Sequence, residues 1–286
     1  MAIKKILVPL SDAKDVNGAL ATAIALGRDF DAHISVLHVR PDPRSAAMAY
    51  MGEPVSASMI DDVMNAAEKR AASDSARARK AFEDACAKAK IAVGAKAPGL
   101  GKVSASFHVE TGAEDEVIRI AGRVSDLLVM ARPQGPLAGS QRLVLEAALI
   151  DTGRPLLIVP PKAAKIGGHV AIAWNGSTQA ARAVALAMDF IAGAQSVTVL
   201  TAKEGGADYR PDEVREYLGW HGIKANVVQV AGKDDPAKAL LSAAGKAGAD
   251  LLVMGAYGHS RVRELVLGGV TKHVLQTATL PTLMAH

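Results

Sequence analysis

The stretch GAYGHSRVRELVLGGVTKHVL, residues 255–275, gathers the residue types that hold a phosphate group. Such a group needs several backbone N–H donors converging on it, and so a chain that approaches without Cβ atoms in the way. Gly255 and Gly258 offer that approach directly after the apolar run at 251–254. Gly268 and Gly269 then open a helical stretch, with Val270 and Thr271 in its first turn. The first N–H groups of a helix have no intrahelical acceptor, and the helix dipole favours an anion there. Arg261 and Arg263 add permanent charge, Ser260 adds a hydroxyl, and His259 stands beside them, with His273 and His286 further along the chain. Bonds from such groups to phosphate are charge-assisted and strong. The same residues also suit a plain βα connection, with glycines for turn geometry and arginines facing water.

Other chemistries lack their residues. The histidines are scattered without an HExxH or paired Cys/His spacing, and Cys86 is the single cysteine, which excludes an internal disulfide and a cysteine-cluster metal site. No strand–GxSxG–helix arrangement surrounds Ser177, which reads as the N-cap of a helix. Asp234 and Asp235 before Pro236 read as another helix start. No P-loop Gly-x4-Gly-Lys-Ser/Thr occurs, so slow ATP hydrolysis is the most that the sequence leaves open by way of catalysis.

The elements that position the glycine stretch show themselves as an internal repeat. SDLLVMARPQG from Ser125 matches ADLLVMGAYGH from Ala249, and KKILVPLSDA from Lys4 matches GHVAIAWNGS from Gly168. GRPLLIVPP from Gly153 matches TLPTLMAH from Thr279, so each copy begins and ends on a strand. The second copy reads as strand 169–174, helix 177–192, strand 196–202, helix 211–221, strand 225–230, helix 235–246, strand 250–254, helix 268–278 and strand 281–285. Alternation of this kind, with strands buried on both faces, implies a parallel sheet wrapped by helices. The fold class is α/β, two tandem doubly wound domains, 1–161 and 168–286. Ligands of such sheets bind beyond the carboxyl ends of the strands where the strand order reverses, which selects the loops after strands one and four.

Copy one carries an insertion of roughly 40 residues within Pro41 to Gly101, because the offset between first strands is about 164 and between fourth strands about 124. Much of it lacks Gly and Pro, which predicts one helix from about Ser56 to Lys90, spanning roughly 50 Å and projecting beyond its sheet. Met48, Met51, Met59 and Met64 near its start read first as packing on the domain's own sheet, or else as an adaptable contact surface. Cys86, in register with Phe82 and Ala89, reads as packing. Half of the 286 residues are hydrophobic but only 3% are aromatic, which suits Ala-rich helices on sheets, and the net charge of +4 is too diffuse for nucleic acid. The N-terminal MAIKKILVPLSDAKD is neither a signal peptide nor a membrane anchor, so a cytoplasmic protein is expected.

The spacing Gly255-x2-Gly258-x9-Gly268, with LLVMGAYGHSR around it and LPTLMAH at the close, resembles the nucleotide-binding loop of the universal stress proteins. Over essentially the whole chain the resemblance is to two tandem domains of that family. It implies five-stranded parallel α/β sandwiches paired through their final strands, ATP (with Mg²⁺ as its companion ion) between strands one and four, and a stress-response or regulatory role. Two positions depart from the family pattern. Gly269 stands where a Ser or Thr hydroxyl is expected, with Thr271 close by, and Asn175 stands in place of an Asp at the end of strand one. Trp174 beside it could stack on a base or belong to the core. In copy one Arg132 and Pro133 replace the start of the glycine loop, Pro133 and Pro136 remove donors, and Ser11 and Asp12 are off pattern, so no nucleotide is expected there. Copy one is then a dimerisation partner for copy two, a homodimer of the chain is a further possibility of the family, and the other reading is a nucleotide-independent interaction protein acting through the helical insertion on an unknown protein partner.

Overall fold

The computed structural model describes residues 2–10, 16–48, 50, 55–94, 101–135, 139–162, 165–202, 209–231, 235–257 and 269–286. The first half runs β1 (Lys5–Pro9), α1 (Val16–Asp29), β2 (His33–Arg40), α2 (Pro43–Met48), α3 (Ala57–Ala89), β3 (Ala92–Val93), β4 (Ser104–Thr111), α4 (Glu114–Gly122), β5 (Leu127–Ala131), α5 (Gly139–Glu146), a π-helical turn (Ala147–Asp151) and β6 (Leu156–Val159). The second half runs β7 (His169–Ala173), α6 (Thr178–Leu186), α7 (Met188–Ala192), β8 (Ser196–Ala202), α8 (Pro211–Trp220), β9 (Ala225–Val230), α9 (Pro236–Lys246), β10 (Leu251–Gly255), α10 (Gly269–Thr277) and β11 (Thr282–Ala285).

All the strands join one sheet in the order β3-β4-β2-β1-β5-β6-β11-β10-β7-β8-β9. Every pairing is parallel except the seam between the halves, where β6 and β11 run antiparallel with Leu157 opposite Leu283. The final strands therefore pair, as the resemblance implied. Because the sheet is continuous, so are its two cores. One joins Ile6, Ile34 and Phe82 of the first half to Ile172, Phe190 and Leu283 of the second, and the opposite face joins Leu128, Leu145 and Leu149 to Met254, Val274 and Leu275. The inner apolar strands, from β2 to β8 across the sheet, are buried on both faces, the pattern that marked them in sequence, whereas the edge strand β9 is half-exposed.

Caps fix several boundaries. Ser177 Oγ accepts from the Ala180 N–H at 3.2 Å and Asp235 Oδ1 from the Lys238 N–H at 3.0 Å, so both residues start helices as their types suggested. The two aspartates that open the repeated runs have a matching task at the amino end of the sheet. Asp126 accepts from the N–H groups of Lys4 and Lys5, both at 2.9 Å, and Asp250 from those of Gly167, Gly168 and His169 at 2.9–3.0 Å. They tie strand one to strand four in each half, leaving the carboxyl end for chemistry.

The structure departs from the expectation in three places. The first half has a sixth strand, β3, whose two residues extend the edge beside β4. The stretch 177–192 is two helices broken at Ala187, a bend that brings Phe190 edge-on to Phe30, with ring centroids 5.2 Å apart, and the Asp189 carboxylate to the Ile3 N–H at 3.2 Å. Two of the methionines, Met48 and Met59, are exposed and do not pack on their own sheet. α3 is one helix as expected, but it buries no residue before Ala71, and Met48 at the end of α2 and Met59 in the first turn of α3 are 64% and 46% exposed; Met64 is half-buried, and Met51 lies outside the described residues. Cys86 is a packing residue, and burial raises its thiol pKa.

A polar row on the first-half sheet carries a pH-dependent term. The His33 ring lies between the hydroxyls of Ser104 at 2.7 Å and Ser106 at 2.9 Å, and burial, then Lys5, then His108 lower its pKa. A histidine whose folded pKa is depressed is neutral in both states at high pH. As pH falls below the ordinary value of about 6.5 the unfolded chain takes up the proton first. Stability should therefore fall as pH drops from about 6.5 through the folded-state value. Denaturant melts of the wild-type chain and His33→Gln across that range check this, the variant showing the shallower decline.

Candidate functional site

In the second half β7 pairs with β8 on one side and β10 on the other, so the strand order reverses between β7 and β10. At the carboxyl ends of these strands lies a cavity of about 430 Å³, within the range of small-molecule sites. Its walls are mainly apolar: Ala173, Leu200, Val230, Ala239, Leu240 and Met254 form one part. Polar groups converge on the rest, with Asn175, Thr201, Tyr257 and the α10 residues Gly269, Val270 and Thr271. Two of these are buried hydroxyls, Thr201 Oγ1 and Tyr257 Oη, without a hydrogen-bond partner among the described residues. A buried hydroxyl left unpaired is costly.

Each lining residue is placed by local physics. Trp174 donates its indole N–H to the carbonyl of Tyr209, which anchors the entry to α8, and its ring packs against the core while lining the cavity. Asn175 Oδ1 accepts from the Ser177 N–H at 3.2 Å and Oγ–H at 2.7 Å, a turn that launches α6. Its acceptor is thus spent within the chain, and its amide NH₂ is the part left for a ligand. Tyr257 sits at φ +61°, which turns the chain sharply after β10. Burial, then the nearby Glu146 carboxylate, pushes its phenol pKa well up, so it is a hydroxyl donor at neutral pH.

Six of the residues singled out in sequence, Trp174, Asn175, Gly255, Gly269, Val270 and Thr271, line this one cavity. Gly258, His259, Ser260, Arg261 and Gly268 lie outside the described residues. The reason for Gly255 needs correction. A Cβ there would stand 2.5 Å from Ala180 N and 2.6 Å from Gln179 C, so its missing side chain faces the backbone of α6 and not a phosphate. A Cβ on Gly269 meets nothing within 4 Å, which leaves open space at the start of α10. Sequence reasoning passed over Thr201, Ala239, Leu240 and Tyr257. The signal for Thr201 was available in its place at the carboxyl end of the strand beside β7.

The profile of the universal stress protein family matches residues 2–145 and 202–286, well over half the chain. The chain belongs to the universal stress protein family. A universal stress protein of Archaeoglobus fulgidus has the same fold across nearly all of both chains, covering 98% of this one and 97% of that one at 19% identity, with a TM-score of 0.67. A putative universal stress protein from Pseudomonas aeruginosa is similar over 99% of this chain and 93% of its own, at 17% identity and a TM-score of 0.59. A universal stress protein of Synechocystis sp. is 56% identical over 34 residues, a match that spans 12% of each chain. The universal stress protein fold thus recurs in both halves, but the halves differ at the carboxyl ends of their strands. The hollow of the first half is about 160 Å³, and Glu114, Arg132 and Pro133 line it where the second half has its larger cavity. Among the described residues no helix is long and apolar enough to cross a membrane.

Proposed function

We propose that this universal stress protein binds an adenine nucleotide, ATP foremost, in the second-half cavity, and that the bound nucleotide fixes an arrangement of loop and seam which a protein partner reads. The observation that carries this reading is the convergence of the α10 N-terminus and two unpaired buried hydroxyls on one cavity whose remaining wall is apolar. The apolar wall suits a base, and the helix N-terminus with its unpaired N–H groups suits phosphate oxygens. Mg²⁺ is assigned to the nucleotide's own phosphates, since among the described residues no group of three His, Cys, Asp or Glu stands close enough to hold a metal. The first half, with its smaller hollow and proline-bearing loop, takes no nucleotide in this reading and serves as the fixed partner of the second.

Fluorescence of an ATP analogue displaced by unlabelled ATP tests the assignment. Displacement by ATP supports it, and displacement by none of the adenine nucleotides removes it. Gly269→Ser sharpens the test. It restores the hydroxyl of the family pattern in space that is open, and a Ser at a helix start is well tolerated. A new hydrogen bond to a charged phosphate, worth on the order of 1 kcal/mol net, should tighten ATP binding about fivefold. Unchanged affinity would place the phosphates away from the start of α10.

A second reading, an interaction protein acting through the insertion, is favoured by one observation: the exposed Met48 at the end of α2 and Met59 in the first turn of α3, a helix that buries no residue before Ala71.

A further inference from the structure

Arg132 leaves the end of β5 in the first half and crosses the seam. Its Nη1 donates to the carbonyls of Val274 at 2.8 Å and Leu275 at 2.9 Å, and its Nη2 to that of Leu280 at 3.0 Å. The residue is only 7% exposed. The Val274 carbonyl also accepts from the Ala278 N–H at 3.0 Å, while later carbonyls of the last turn have no intrahelical donor, and the dipole makes that end negative. A guanidinium with a rigid fork of donors is suited to both conditions. Burial brings its pKa down to about 10, so it remains charged at neutral pH. Arg132 is therefore the C-terminal cap of α10, supplied by the other half of the chain.

The cap runs one way. Matching the repeated runs DLLVMAR and DLLVMGA places Ala256 at the position of Arg132, and an alanine returns no such bond. The corresponding end in the first half is closed by its own residues, with Thr152 Oγ–H donating to Ala148 O at 2.7 Å and Arg123 Nε–H to Asp151 O at 3.2 Å. The capped helix is also the one whose opposite end, Gly269 to Thr271, lines the large cavity. Nine residues at 1.5 Å each put the two ends only about 13 Å apart, too short for a helix to bend much between them. A second contact from the first half reaches the same region. The Arg142–Glu146 pair on α5, 2.8 Å apart and partly exposed, stands beside Tyr257 of the cavity wall.

We propose that Arg132 is a positioning residue for the second-half site: by holding the C-terminal end of α10 it sets where the cavity-lining end of that helix lies. The half that lost its own glycine loop thus controls the site of the half that kept one. The effect on ligand affinity rests on the nucleotide reading given above, whereas the effect on the helix does not.

Hydrogen exchange on the ligand-free full-length chain separates the two. His273 and Val274 have amides that bond back to the carbonyls of Gly269 and Val270 in an α-helix, so they report on the cavity end of α10. In Arg132→Met their exchange should accelerate about tenfold. Arg132→Lys, which keeps the charge but not the fork, should fall between that variant and the wild type, and it decides the matter if Arg132→Met does not fold. Phe82→Leu, in the core under α3 and far from the seam, controls for a general loss of stability and should leave these amides unchanged. Acceleration confined to residues 276–280, or equal acceleration in Phe82→Leu, would overturn the proposal. With ATP as the probe, Arg132→Met should bind about tenfold more weakly than wild type, a difference of about 1.4 kcal/mol. A wild-type chain that takes up no ATP defeats the nucleotide reading, and the exchange pattern still decides the role of Arg132.

Discussion

Gly255→Ala will lower the melting temperature by about 5–10 °C, the largest stability effect expected of any single methyl in the second half. The added Cβ falls 2.5 Å from Ala180 N and 2.6 Å from Gln179 C, and both are backbone atoms that no rotamer change can remove. Either α6 or β10 has to shift. β10 sits between β7 and β11 in the sheet, so α6 is the element that moves. Overpacking of this kind costs about 1–3 kcal/mol, and more where backbone must give. The shift should reach the cavity as well, because α6 starts from the Asn175–Ser177 turn that forms part of its rim. Calorimetric melts of wild type and variant check the first effect. A variant that melts with the wild type would show that α6 yields without strain.

Ala239→Trp will abolish ATP binding, weakening it by a factor on the order of 100 or more, and leave the melting temperature nearly unchanged. Ala239 stands on α9, half-buried, and its side chain is part of the apolar wall of a cavity of about 430 Å³. An indole there takes up the space assigned to the base, on the side of the cavity away from the seam. The stability cost is small because the ring enters a hollow and not a packed core, and it buries apolar surface on Leu240 and Val230. Retained binding with an intact fold would mean that the nucleotide does not occupy this cavity. Because the substitution leaves Arg132 and Gly269 alone, it tests the location of the ligand independently of how α10 is held.

Most of the fold was legible because its strands are short apolar runs and its helices carry periodic faces between Gly, Pro and Asx signals. α3 was legible as one helix from 33 residues free of Gly and Pro, and its start was marked by Ser56, which accepts from the Met59 N–H at 3.2 Å. β3 escaped notice because two residues cannot show a period. The break at Ala187 escaped because no Gly or Pro marks it; its partners Phe30 and Ile3 belong to the other half. The family resemblance rested on glycine spacing and proved right about the fold, yet spacing could not say which way a missing side chain points. Gly255 therefore entered as a phosphate contact, where its Cβ position faces α6. Arg132 entered only as a departure from the glycine loop. Its partners lie more than 140 residues away across the seam, beyond the reach of any local pattern.

The same comparison separates what each half contributes. The second half has the cavity, the helix N-terminus and the two unpaired hydroxyls, and the first supplies the cap at the far end of that helix and the ion pair beside Tyr257. If the nucleotide reading holds, binding energy gained at one end of α10 is shared with the seam at the other, and a ligand that prefers one arrangement stabilises it by no more than its difference in affinity.

The measurement that tests the central claim most directly is a calorimetric titration of the nucleotide-stripped, full-length chain with ATP and Mg²⁺. One saturable site per chain, lost in Ala239→Trp and tightened in Gly269→Ser, is the predicted result. No heat, together with no rise in melting temperature at millimolar ATP, would contradict it and turn attention to the projecting end of α3.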